Sequence, residues 1–214
     1  MATPAELRKR QQALARLAMN DMAALWRQVS NAVEARIALQ DVLPALIRTY
    51  GQAAASVAAD WYDEARAAAD VGGSFTAIPA SLGDQGTDAL ALWASEKGSD
   101  LTTIQTLVAG GLTRRISDWS RETVMGSSLA DPQADGWQRV GVGECAFCQM
   151  LIGRGAVYSE DTADFASHDH CTCAAVPAFG GKPRAVKPYT PGSRQRTKAG
   201  GADYALAKAW IASH

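Results

Sequence analysis

The chain has 214 residues, 47% of them hydrophobic, with 21 Lys and Arg against 22 Asp and Glu and a formal net charge of -1. That length and apolar content support a globular core, built as one domain with an appendage or as two small ones, and exclude a disordered chain. The opening Met1-Ala-Thr-Pro-Ala-Glu-Leu-Arg-Lys-Arg10 has no apolar leader, and no run of about eighteen apolar residues occurs, so neither secretion nor membrane insertion is expected.

Taken in order, the first 130 residues read as about four helices. Leu14, Ala18, Met22, Leu25 and Val29 form one helical stripe over residues 4 to 30. Leu43, Ile47, Tyr50, Ala54, Val57 and Trp61 form a second, ending near Asp70. Its start is open between a cap at Asp41, with Pro44 in the first turn, and a helix running through from Asn31. Residues 71 to 86 are a connecting loop by their Gly and Pro content. A short helix from Thr87 to Lys97 is stopped by Gly98, and Asp100 caps a longer one whose inner face is Ile104, Val108, Leu112, Ile116, Trp119 and Thr123. Gly110-Gly111 inside it predicts close helix packing or a bend. Trp26, Trp61, Trp93 and Trp119, one per helix, are expected to anchor the core.

From Asp135 the character changes. Asp135-Gly136 is a turn, Trp137 to Val142 is strand-like, and Val157-Tyr158 suits a second short strand. All four cysteines lie here: Cys145-Ala-Phe-Cys148, then nineteen residues, then His168-Asp-His170-Cys171-Thr-Cys173. A C-x2-C knuckle followed by a His/Cys cluster is how a chain builds tetrahedral zinc, and with no secretion signal, metal-bound thiolates are favoured over disulfides. Four ligands come from Cys145, Cys148, His168, Cys171 and Cys173. The H-x2-C spacing favours His168 and Cys171, with Cys173 the competitor and His170 a supporting or exposed residue. A thiolate-rich site of this kind is expected to be structural rather than catalytic, with metal supplying folding energy that so short a module lacks.

The carboxyl-terminal part is basic. Residues 180 to 214 carry 7 Lys and Arg against 1 acid, and the Pro/Gly-rich linker from 180 to 201 holds Lys182, Arg184, Lys187, Arg194, Arg196 and Lys198 with no acid. Such a stretch suits DNA phosphates or a solvated linker. Residues 202 to 214 read as a terminal helix with Tyr204, Leu206, Ala209, Trp210 and Ile211. Alone it is marginal in water and needs a docking surface. The expected organisation is therefore a helical domain over 1-130, a zinc-binding module over 136-179, the linker over 180-201 and the terminal helix over 202-214.

Two families share these motifs. Asp169-His170 after a C-x2-C pair is similar to zinc-stapled His-Asn-His nucleases of the endonuclease VII type, but the second C-x2-C of those enzymes is replaced here by C-x-C. Cys145-x2-Cys148, the run Met150-Leu-Ile-Gly-Arg-Gly-Ala-Val-Tyr158, His168-x2-Cys171-x-Cys173 and Pro177 resemble more closely the Mu F-like minor head proteins of tailed bacteriophages, in the actinobacterial phage form, over residues 136 to 190. In that family Pro and Asn often stand between the His and Cys where Asp169-His170 stands here. The resemblance implies a non-enzymatic virion component of the capsid interior or portal vertex, made in the host cytoplasm. It also implies portal or major capsid protein as partner, a role in head assembly, DNA packaging or ejection, and possible contact of the basic tail with double-stranded DNA. No membrane association is implied. A sequence-reading zinc regulator is the remaining alternative, although the basic residues lie in a linker rather than on a helix that could reach bases.

Overall fold

A computed structural model describes residues 2–142, 146–153, 155, 157–159, 165 and 167–180. Among them the protein is mostly α-helical with a small two-stranded sheet and a Cys/His cluster. Helix α1 spans Pro4–Trp26, α2 Ala32–Ala68, α3 Thr87–Lys97 and α4 Leu101–Ala130. Strand β1 is Gly136–Val140, α5 is Ala146–Gly153 and β2 is Ala174–Ala178.

The helix starts follow from capping chemistry. Thr3 Oγ1 accepts the Glu6 N–H at 3.2 Å ahead of Pro4. Asn31 Oδ1 accepts from Val33 and Glu34 at 3.0 Å each, so α2 runs through from Asn31 and carries Pro44 in its interior. Asp100 Oδ1 accepts from Thr103 at 2.8 Å, starting α4 where expected. None of the helices is long and apolar enough to cross a membrane, among the described residues.

Helices α1, α2, α3 and α4 pack around two apolar clusters. One holds Met22, Leu43, Ile47, Ile104, Val108, Leu112, Ile116 and Trp119 from the stripes read from the sequence, joined by Leu39 and Leu90. Two glycines make its close contacts possible. A Cβ on Gly51 would enter the Trp119 indole, and one on Gly111 would fall 2.5 Å from a Leu90 methyl. Trp61 and Trp119 are core residues, whereas Trp26 is half-buried and Trp93 is 39% exposed, so two of the four tryptophans are not full anchors.

The second cluster joins the helices to the cysteine region: Leu7, Trp61, Tyr62, Val124 and Met125 pack with Trp137, Cys148, Phe165, Cys171, Cys173, Ala174 and Val176. β1 and β2 pair antiparallel with Trp137 opposite Pro177 and Arg139 opposite Ala175. Trp137 turns its own N–H and carbonyl to Tyr158, at 2.9 and 2.7 Å, so Pro177 across from it loses nothing by lacking an N–H. Tyr158 thus makes an isolated bridge to Trp137, and the partner strand of β1 is the unforeseen β2. The terminal helix over 202-214 and the linker lie outside the described residues.

Candidate metal centre

Short helix α5 presents Cys148, and the loop entering β2 presents His168 and Cys171. The Cys148 Sγ lies 3.3 Å from His168 Nε2 and 3.9 Å from Cys171 Sγ, and the three donor atoms are all within 4.8 Å of one another. Zinc bonded tetrahedrally to thiolate and imidazole sets edges of about 3.8 Å between sulfurs and about 3.6 Å from sulfur to nitrogen, so the spacing fits such an ion. His168 Nδ1 is 2.7 Å from the Asp169 carbonyl. An N–H there fixes the tautomer that leaves the Nε2 lone pair facing the sulfurs.

The remaining sequence candidates divide. Cys173 is buried, with its sulfur so close to Gly141 that a Cβ on that glycine would fall 2.6 Å away, and it is not one of the three donors that lie within 4.8 Å of one another. Cys145 lies outside the described residues, as do Lys182, Arg184, Lys187, Arg194, Arg196 and Lys198. His170 stands apart from the donor group and is exposed, in a left-handed backbone conformation with φ of 61°. Its ring lies against Gly110, where a Cβ would meet Nε2 at 2.5 Å, and its N–H donates to the Gly110 carbonyl at 3.3 Å. Of the glycine pair in α4, Gly110 therefore admits the ligand loop and Gly111 admits α3.

Helices hold this loop through its backbone. Arg121, fully buried on α4, donates from Nε to the Cys173 carbonyl at 3.0 Å and from Nη2 to the Cys171 and Cys173 carbonyls at 2.8 and 2.9 Å. Its Nη1 pairs with Asp118 at 2.6 Å, and the same carboxylate oxygen accepts the Ser167 hydroxyl at 2.9 Å. Arg8 on α1 donates to the intervening Thr172 carbonyl at 3.0 Å. Three consecutive carbonyls, 171 to 173, are thus capped by guanidinium groups from two helices. The only sequence sign of this clamp is an arginine on a largely apolar helix face three residues after Asp118, and nothing in it names a loop fifty residues away.

Phe165 lies between two buried cations, with the Arg139 guanidinium 3.8 Å and the Arg121 guanidinium 4.6 Å from its ring centroid. It stacks on Trp137, which stacks on Tyr158. Arg139 also approaches Cys148 Sγ at 3.8 Å. This positive environment suits thiolates. Hydrogen bonding from Cys148 and then Cys173 holds Cys171 far below the ordinary thiol range against the effect of burial, with Arg121 helping. For Cys173 the Cys148 hydrogen bond lowers the value, but the bond to Cys171, burial and the Cys171 charge together raise it. A divalent ion held among these sulfurs would take the place of the thiol protons.

Fold and site together define a helical protein whose thiolate and imidazole groups lie close enough to bind a metal ion. The chain belongs to the VG15 protein family, whose profile matches residues 2–197, a family of phage-associated viral proteins. No curated protein and no solved structure matches it.

Proposed function

We propose that this phage protein is a minor head component of the virion, positioned at the portal vertex, in which one zinc ion fastens the loop of residues 167–173 to α5 without taking part in chemistry. The observation that carries a structural role is the burial of the donors. Cys148 and Cys171 are 3% and 1% exposed, and residues 171–173 are gripped along their backbone by Arg8 and Arg121. A catalytic zinc keeps a position open to water and a carboxylate in reach, whereas a thiolate-rich set favours closure. Four ligands would come from Cys145, Cys148, His168, Cys171 and Cys173. The family membership supports the virion setting, and the six basic residues of the linker would meet packaged DNA or an acidic partner surface.

Quantitative mass spectrometry of purified particles tests this reading. A few copies per particle, lost when portal protein is absent, are the expected result; absence from particles overturns it. Metal-dependent DNA cleavage abolished by His170→Ala would replace it with a nuclease.

A further inference from the structure

An apolar groove of about 270 Å³ lies between the loop before α3 and the outer face of α4. The loop contributes Phe75, Ile78, Pro79 and Leu82, and α4 contributes Gly126, Ser127 and, as the charged residue of the lining, Glu122. Ile78 is 76% exposed, more than any other large hydrophobic side chain among the described residues. A Cβ built on Gly126 meets nothing within 4 Å, so the groove is open there, and the buried Ser127 hydroxyl has no hydrogen-bond partner among the described residues.

Two successive ring contacts link the end of the described residues to this groove. Phe179 packs edge-on against Tyr62 at 6.2 Å between centroids, and Tyr62 packs on the groove residue Phe75 at 5.9 Å. Beyond Gly180 the sequence continues for 34 residues, of which 202–213 carry Tyr204, Leu206, Ala209, Trp210 and Ile211. Twelve residues in helical form would measure about 18 Å, and a Gly/Pro-rich stretch of about twenty residues is expected to span on the order of 25 Å, enough to reach a groove two ring contacts from Phe179. So short a helix is marginal alone, but its tether supplies an effective concentration on the order of millimolar.

We infer that the groove lined by Phe75, Ile78 and Gly126 is the docking site of the chain's own residues 202–213. This occupant covers Ile78, buries the Trp210 and Ile211 side chains and needs no partner molecule. The inference is independent of the virion role proposed above.

Hydrogen exchange of the metal-loaded full-length protein, compared with a truncation after Gly201 of equal metal content, tests it. Amides of residues 75–82 and 122–130 are expected to exchange about threefold or more faster in the truncation, as the tethered concentration implies. A synthetic peptide of residues 202–214 is expected to restore the slower rate, and Trp210→Ala in the full chain to mimic the truncation. Equal exchange in the full and truncated proteins overturns the inference. So does protection that grows with protein concentration, which would assign the groove to a second copy.

Discussion

Arg121 illustrates how much one residue can carry. Its guanidinium, itself without exposed surface, makes three hydrogen bonds to ligand-loop carbonyls and an ion pair with the partly exposed Asp118. Arg121→Ala removes the cation beside Asp118, which keeps the Ser167 hydroxyl, together with the donors to two carbonyls, and is expected to cost about 3–5 kcal/mol in urea unfolding, with Arg121→Lys recovering only part because a single ammonium cannot serve both sides. At the donors, Cys171→Ser is expected to reduce bound zinc, measured by elemental analysis, from one equivalent to well below it. His170→Ala should leave one equivalent in place, since that ring sits on Gly110 rather than among the sulfurs. Full zinc content in Cys171→Ser would remove this residue from the ligand set.

Among the elements, those with a strong period or cap were legible and those defined by distant partners were not. The stripes of α1, α2 and α4 became the apolar cluster around Leu43, Ile47 and Ile116, and Asp100 and Gly98 bound their helices where the residue types said they would. The Gly110-Gly111 pair was readable as close packing, although what approaches was not. β2 escaped because Ala174-Ala-Val-Pro-Ala178 is small-residued, lacks alternation and contains a proline that only the Trp137–Tyr158 pairing makes harmless. α5 escaped because eight mostly apolar residues have no period to read, and its knuckle cysteine suggested a loop.

Asp100 gives the element scale a pH test. Its carboxyl is held below the ordinary value, first by the Thr103 backbone N–H and then by the Thr103 hydroxyl. A lowered folded value means that its contribution is complete above the unfolded carboxyl pKa of about 3.9 and is lost as pH falls through the folded one. Asp100→Asn, which still caps, is expected to match the parent Tm at neutral pH and to lose less stability below about pH 4. An equal acid loss in both proteins would locate the titrating group elsewhere. Gly51→Ala should lower stability by about 1–3 kcal/mol by pushing the Trp119 indole from α2, read from the denaturation midpoint.

Over the whole molecule, the two apolar clusters are stacked along the same helices but depend differently on the metal centre. Among the described residues, the cluster around Leu43 and Ile104 contains none beyond α4, whereas that around Trp61 and Tyr62 includes Cys148, Cys171 and Cys173. Removing metal with a chelator under reducing conditions should accelerate hydrogen exchange at residues 136–140 and 167–178 and lower Tm, while far-UV helical ellipticity stays largely intact. Loss of helical signal in step with the metal would mean that the helices need the ion as well.

The order of events in synthesis follows from where the loop is gripped. Arg8 and Arg121 belong to helices whose residues are all translated before residue 171, so the groups that grip the ligand loop leave the ribosome ahead of it. Ion capture then seals a finished frame instead of seeding it, and the rate at which helicity appears on refolding should be the same whether zinc is supplied at the start or afterwards.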